Sequence, residues 1–363
     1  LIKLDEIFYF TPIASPFQLE FVDGCNQELA KLRKEKMLPV FLRPLPAHRK
    51  HWGQTGLGIN LYESKKSRIH RTWSLLEERH PKACILTSYT SIDNWIARFW
   101  CLSRKRKFFI GPAEPMNTYA AGFLRHSFRL SLFKQFVNRA SGLAAMGNNA
   151  LRMYRKVYKG KMINCSYTFD QTELQSKSQL SLDAPLTFLY SGRLSPFRNP
   201  LLVIEAFAEV HQSFPDLPVK LIMSGKGELY HECTQKIKDR AVEEHVTWIN
   251  DFKDWHDIHK LYEKAHVLLA LQHYSTWGLI IQEAMAAGMS IVATRTIESA
   301  DNLIIDGYNG YLISASKEEA VKAMSTYALD KTLVELHGKR SRHIAKTVDL
   351  KTQSEIFITN FFS

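Results

Sequence analysis

Short apolar runs alternate with amphipathic stretches along most of the chain, and the alternation sharpens after residue 185. Leu186 to Tyr190, Val219 to Met223, Val246 to Ile249 and Val267 to Leu271 are nearly continuous apolar runs, as in strands buried on both faces of a parallel sheet. Between them, Asn199 to Phe214 sets Leu201, Ile204, Phe207 and Val210 on one helical face, and Glu228 to Ala241 and Trp255 to Ala265 read as further helices. Leu279 to Ala287 is rich in helix formers and stops at Gly288, a C′ glycine, ahead of another apolar run at Ile291 to Ala293. Strict alternation of this kind predicts an α/β fold with a doubly wound parallel sheet, whose ligands bind beyond the C-terminal strand edges.

The first half repeats the pattern less cleanly. Strands are expected at Ile7 to Phe10, Pro39 to Leu42, Ala83 to Ser88 and Lys107 to Ile110, with helices at Leu19 to Lys36 and Ser67 to Glu78. His48 to Ser67 is polar and Gly-bearing and reads as a loop. Gln171 to Ala184, polar and poor in aromatics, reads as a linker. At 363 residues the chain suits two domains. The expected division is 1–170, a linker at 171–184, and 185–344, followed by a C-terminal helix within 345–363.

Charge changes this picture because it is unevenly placed. Residues 1–170 carry 28 Lys and Arg against 12 Asp and Glu, or +16, and residues 171–363 carry 20 against 24, or −4, which together give the chain's +12. Such asymmetry points to an anionic partner for the first half. The densest cluster is Arg104 to Lys107. A second lies in 123–136, where Arg125, Arg129 and Lys134 interleave with Leu124, Phe128, Leu130, Leu132, Phe133 and Phe136. That pattern fits a basic amphipathic helix on a membrane surface, and equally a helix whose apolar stripe packs on the domain core. With 45% hydrophobic and 23% charged residues the chain can bury a core, and no apolar run approaches the ~18 residues of a membrane span. Asp5 and Glu6 stand where a signal peptide needs an apolar centre, and the five cysteines are scattered and odd in number. The expected setting is reducing and cytoplasmic.

The densest chemistry lies in Val267 to Thr294. A strand feeding into a helix at Gly278 leaves unpaired N–H groups and the positive end of the helix dipole at the sheet edge, an anion site. Glu283, about one turn into that helix, can bridge two neighbouring hydroxyls such as those of a ribose. After the strand at Leu186, Arg193 and Arg198 lie five apart; two guanidiniums there can hold a diphosphate or be a surface pair near a turn. The following edge carries Gly225 and Gly227. His256 and His259 with Asp254 and Asp257 suggest metal less than a surface helix begun by Asp254, so no metal site is expected.

With these residues in view, the chain resembles the GT-B glycosyltransferases of family 4 (glycosyl transferases group 1). Trp277, Gly278, Glu283, Ala284, Met285, Ala286 and Gly288 match the family's donor motif, and Ser275 stands where its first Glu belongs. Gly192 and Arg193 match its Gly-Arg element, Arg198 replaces its Lys with another cation, and Gly225 and Gly227 match its Gly-x-Gly turn. The resemblance is strong over 185–325 and weak in the first half. It implies two Rossmann-like domains facing across a cleft, the first binding acceptor, the second binding a nucleotide-sugar donor, and the C-terminal helix crossing back to the first. It implies donor contacts from Gly192, Arg193, Arg198, Gly225, Gly227, Ile249, Ser275, Trp277, Gly278, Leu279, Ile280 and Glu283, with Arg193, Arg198 and Glu283 serving catalysis. In the first half it implies an acceptor or sugar contact at Phe17, Gln18 and Glu114, where a solvated loop carboxylate at Glu114 is equally consistent.

The implied activity is retaining transfer of a sugar from a nucleotide-diphosphate sugar, without metal or other cofactor, to a glycan or lipid-linked acceptor in cell-surface glycan synthesis such as that of lipopolysaccharide. The basic half adds the expectation of a peripheral site on the inner face of the cytoplasmic membrane, through 104–107 and 123–136. Two alternatives stay open. Nucleic acid, the less expected acceptor, suits a basic domain, and the missing first Glu suits an inactive nucleotide-binding partner subunit.

Overall fold

The structure, a computed structural model, describes the chain apart from residues 1–4, 33–34, 47–57, 65, 117–122, 177–179, 252–256 and 258; for 123–126 it describes the backbone alone. The chain divides into two compact units, Leu1–Asp170 with Asp349–Ser363, and Gln171–Val348.

In the first unit, β1 (Asp5–Thr11), β2 (Glu35–Phe41), β3 (Ile59–Asn60), β4 (Ala83–Leu86), β5 (Lys107–Ala113), β6 (Gly142–Ala145) and β7 (Met162–Asn164) form one sheet in the order β3-β2-β1-β4-β5-β6-β7. Every pairing in it is parallel. Its helices are α1 (Pro16–Leu32), α2 (Arg68–Arg79), α3 (Ile92–Ser103), α4 (Phe123–Val137) and α5 (Gly147–Tyr154). The period of two along a strand separates the faces. Phe8 and Phe10 enter one core with Trp100, Phe133 and Phe136, whereas Ile7 and Tyr9 enter the other with Phe21, Val22 and Leu29 of α1.

In the second unit, β8 (Leu186–Ser191), β9 (Val219–Ser224), β10 (Val246–Trp248), β11 (Val267–Ala270), β12 (Ser290–Thr294) and β13 (Tyr311–Ile313) are parallel in the order β10-β9-β8-β11-β12-β13. Around it lie α6 (Thr172–Ser176), α7 (Pro200–Ser213), α8 (Tyr230–Asp239), α9 (His259–Tyr262), α10 (Leu279–Ala286), α11 (Glu298–Leu303), α12 (Lys317–Leu329) and α13 (Lys331–Ala345). Phe188, Leu221 and Leu269 pack with Ile204, Phe207, Met324 and Tyr327 in one core. The last helix, α14 (Leu350–Phe361), belongs to the first unit, where Phe357, Ile358 and Phe361 join the α1 side of the core.

Several local expectations change. The helix expected over Leu19 to Lys36 ends at Leu32, and Glu35–Phe41 is strand. Asn26 brackets Met37, accepting its N–H at 2.7 Å and donating to its carbonyl at 3.0 Å, so tertiary bonding overrides the helix propensity of that Lys/Glu/Met segment. Strand β6 and helix α3 were not expected. β6 is Gly-Leu-Ala-Ala, weak in strand propensity, and a Cβ at Gly142 would lie 2.4 Å from the Phe361 ring, so close packing sets its composition. The stretch 171–184 is not an open connector. It carries α6 with Leu174 buried, and Lys331 Nζ donates to the carbonyls of Leu182 and Ala184 at 2.9 and 3.0 Å. The described helix ahead of β11 is His259–Tyr262; Asp254, Trp255 and His256 lie outside the described residues.

In α4, Phe133, Phe136 and Val137 are buried in the core, while Phe128 is 69% exposed. Most of its apolar stripe, as far as described, is thus spent inside the unit and not left for a membrane.

Candidate functional site

The strand order of the second unit reverses between β8 and β11, and such switch points leave a crevice beyond the strand ends. A pocket of about 440 Å³ lies there, lined by the turns that follow β8, β9, β10 and β11.

The turn after β8 contributes Ser191, Gly192, Arg193 and Arg198. It is fixed to the turn after β9: Gly192 N–H donates to Ser224 O at 2.9 Å, and Leu194 N–H to Lys226 O at 3.0 Å. Gly225, with φ +146°, is required by this approach, because a Cβ there would lie 1.8 Å from Gly192 O. Gly227 does the same against Leu194 O, at 2.1 Å, and does not line the pocket. Asn250, at the exit of β10, accepts the Gly225 N–H through Oδ1 at 2.7 Å. Ile249 itself continues the β10 ladder, donating to Met223 O at 3.0 Å, and stays out of the lining.

Arg193 is exposed, and Tyr190 Oη donates to its carbonyl at 2.9 Å. Arg198 ends a 3-10 turn at Pro196–Arg198, and its Nη1 donates to Gln272 Oε1. His273 N–H donates to Phe197 O at 3.1 Å, which ties the exit of β11 to the same turn. Burial lowers the Arg198 pKa from its usual value, yet a guanidinium remains the cation at any working pH.

Helix α10 begins after Gly278, whose φ of +97° turns the chain into it. Ser299 Oγ donates to the carbonyls of Trp277 and Gly278 at 2.9 and 2.8 Å and so fixes the entry. The N–H groups of Leu279 and Ile280 belong to the first turn, which no intrahelical carbonyl can accept, and both residues line the pocket. Glu283 lines it as well, although only 8% exposed. Burial raises its pKa above the ordinary carboxylate value, opposed by a hydrogen bond from Tyr262 Oη to Oε2 at 2.5 Å.

Two further expected donor residues, besides Gly227 and Ile249, stand outside the lining. Trp277 is 4% exposed and its Nε1 donates to Gln282 Oε1 at 2.7 Å, so the indole anchors the helix from behind. Ser275 donates its N–H to Thr296 O and accepts from Glu298 N–H, each at 3.2 Å, and is held against the β12 exit outside the lining. Conversely, Tyr262, Lys226 and Asn250 line the pocket without having been singled out as donor contacts, and Gln272 orients Arg198. The Gly-x-Gly spacing marked the Lys226 turn. Nothing local marks Tyr262 or Gln272, whose partners lie 21 and 74 residues away.

The first-unit candidates follow strand ends of their own sheet. Gln18 Oε1 accepts from Thr11 Oγ1, Phe17 packs 6.1 Å from the Tyr167 ring, and exposed Glu114 offers its carbonyl to Tyr154 Oη. Among the described residues, no group of three or more His, Cys, Asp or Glu is placed to hold a metal ion. No described helix is long and apolar enough to cross a membrane.

A parallel-sheet unit with two arginines, a helix start and a buried carboxylate around one crevice has the layout of a nucleotide-binding α/β domain. Residues 171–346 match the family model of glycosyl transferases group 1, and this unit belongs to that family. The chain is 28% identical over 122 residues to a poly(glycerol-phosphate) alpha-glucosyltransferase of Bacillus subtilis, a match covering 34% of this chain and 17% of that protein. It is 22% identical over 194 residues to a GalNAc-alpha-(1->4)-GalNAc-alpha-(1->3)-diNAcBac-PP-undecaprenol alpha-1,4-N-acetyl-D-galactosaminyltransferase of Campylobacter jejuni, covering 52% and 51%. The chain thus spans at most about half the length of these relatives. Among solved structures it resembles Anabaena HepE in complex with UDP (TM-score 0.77, 14% identity, 98% of this chain and 99% of that one). It also resembles the lipopolysaccharide outer core galactosyltransferase WaaB (TM-score 0.73, 13% identity, 98% and 99%). These likenesses give the fold, that of the GT-B glycosyltransferases.

Proposed function

We propose that the chain is a glycosyltransferase that takes a sugar from a nucleotide-diphosphate donor held in the second unit, with retention of configuration and without a metal. The observation that carries this reading is the convergence of Arg193, Arg198, the α10 start and Glu283 on one pocket at the switch point. In it the ribose diol bonds to the Glu283 carboxylate, and the diphosphate faces the guanidiniums and the first-turn N–H groups. The bond from the anomeric carbon to the phosphate oxygen breaks, the acceptor oxygen bonds to that carbon, and the acceptor's proton passes to the leaving diphosphate. Negative charge grows on the diphosphate as the bond breaks, so preorganised cations lower the barrier. The UDP complex of HepE supports a nucleoside diphosphate at this kind of site.

For the acceptor we propose a lipid-linked or cell-surface glycan at an anionic membrane, met by the basic first unit on the cytoplasmic face. The +16 half and the undecaprenol-linked substrate named for the Campylobacter relative support this. One observation favours a second reading. Ser275 supplies no carboxylate to the transferred sugar, as a nucleotide-binding subunit without turnover would allow.

A thermal-shift panel of nucleoside diphosphates and their sugars, on wild type and Glu283→Ala, tests the donor site. A ligand at ~100 times its dissociation constant stabilises by about 2.7 kcal/mol. Stabilisation of the wild type alone is the expected outcome, and no shift with any nucleotide would overturn it. Binding without turnover on any glycan acceptor would favour the second reading.

A further inference from the structure

We propose that Tyr262 is a positioning residue for the ribose-binding carboxylate, holding Glu283 Oε2 so that the group stays ionised and presents its remaining acceptor sites to the donor. This rests on the reading of Glu283 as the ribose contact. Tyr262 ends helix α9, ahead of β11, is 3% exposed, and lines the same pocket as Glu283. Its hydroxyl lies 2.5 Å from Oε2, within the range of a charge-assisted O–H···O⁻ bond.

The need for such a partner follows from the chemistry of the site. A diol donates two hydrogen bonds; an ionised carboxylate is acceptor-only, with about four lone-pair sites for these and a third donor, whereas protonation turns one of its oxygens into a donor. Burial opposes that ionisation, and the phenol bond favours it. The phenol does not compete for the role of base, because burial and the neighbouring Glu283 charge push its own pKa far up. Of the two groups, the phenol is therefore the weaker acid, and it is Tyr262 that donates the proton in the bond between them.

The other charged groups nearby have different engagements. In the pocket, Arg198 is tied to Gln272, and Arg193 and Lys226 lie on the two facing turns. On the elements packed against α10, Arg342 of α13 donates to Ala287 O at 2.6 Å, Glu173 of α6 lies 3.8 Å from His259, and Glu298 of α11 accepts from Asn302.

The test uses Tyr262→Phe, which keeps the ring. The probes are ADP, GDP, UDP and CDP and, for the tightest of these, its 2′-deoxy form, with affinities measured from pH 5.5 to 8.5. The expected result is about tenfold weaker ribonucleotide binding near pH 6, recovering toward wild type as pH rises, with a smaller change for the 2′-deoxy form. The pH midpoint moves up because the carboxyl has lost the bond that favoured its charge. An equal loss at every pH and for both sugars would show a merely structural tyrosine and overturn the proposal. If Glu283→Ala loses ribonucleotide affinity while Tyr262→Phe changes neither affinity nor midpoint, the positioning role alone fails. If Glu283→Ala binds as well as wild type, or no nucleotide binds, the ribose reading fails and the proposal with it.

Discussion

The two sheets are wound alike, reversing direction between β1 and β4 in one unit and between β8 and β11 in the other, yet their C-terminal edges carry different chemistry. In the second unit Arg193, Arg198, Lys226 and Glu283 surround one crevice, fixed by bonds between neighbouring turns. In the first, the corresponding turns hold mainly uncharged groups: Thr11 bonded to Gln18 after β1, and Thr87 and Asn94 bonded to backbone carbonyls around the exit of β4. Its described cations are scattered and not gathered on one crevice: exposed Arg43 follows β2, Arg129 bonds to Tyr89 Oη at 3.0 Å beyond β4, Arg68 and Arg71 pair with buried Asp93, and Arg104 to Lys107 form an exposed run after α3. Net charge alone would place the anion site in the wrong half, since the half carrying −4 holds the anion-binding layout. A few preorganised donors in a crevice outweigh a diffuse field that salt screens within about 10 Å. Net charge speaks to encounter with a partner, and the crevice speaks to chemistry.

The largest expected effect separates the units by stability. Phe361 stacks on Phe109 with ring centroids 5.0 Å apart and fills the space over Gly142. Phe361→Ala should cost the first unit about 3–5 kcal/mol. Hydrogen exchange should then show lost protection in β1, β4 and β5, with β8 and β11 retaining theirs. Equal loss in both sheets would break the comparison by showing one cooperative body.

Next comes the donor crevice. Arg198→Ala should lower turnover by about 10² to 10³, the scale of removing one preorganised electrostatic contact. Gln272→Leu leaves the cation and removes its tether, and should cost about tenfold. Unchanged turnover in Arg198→Ala would move charge stabilisation away from this pair.

Much of this was legible in the sequence, and what was not has a physical reason. Strands buried on both faces read clearly in the second unit because β8, β11 and β12 are short, mainly apolar runs buried along their whole length. The crevice read well where chemistry follows a strand end within a few residues, as at Arg193, Gly225 and Gly278. It read badly where the local pattern is right but the side chain turns inward. Trp277 sits in the motif and packs behind the helix, its indole bonded to Gln282. It was silent where one side chain bonds another far along the chain, as Tyr262 bonds Glu283. In the first unit, strands such as Gly142–Ala145 are short and small because a neighbouring ring needs the room, which no periodicity records.

A smaller effect tests the buried carboxylate through pH. The folded pKa of Glu283 is raised, so the native state holds its proton to higher pH than the unfolded chain does. Its contribution to stability is complete below the unfolded value near 4.5 and is lost as pH rises through the folded value. Denaturant titrations should show the wild type losing stability relative to Glu283→Gln over that window, with a slope of at most about 1.4 kcal/mol per pH unit for one group. Parallel curves would mean that burial does not govern this side chain.

The smallest effect concerns the diffuse charge of the first unit. Each basic residue near an anionic bilayer contributes about 1 kcal/mol, roughly fivefold in binding, and salt removes it. Within the run that follows α3, Arg104 already donates to Glu77 at 3.0 and 2.6 Å, while Lys105 and Arg106 are exposed at the turn. Alanine at Lys105 or Arg106 should therefore weaken binding to vesicles containing phosphatidylglycerol by a few fold, and alanine at Arg104 by less, because its charge is partly answered within the protein. Phe128→Ala should weaken it even at high salt, since exposed apolar surface inserts without regard to ionic strength. Equal binding to neutral and anionic vesicles would leave the +16 half with no membrane role and turn attention to soluble anionic acceptors.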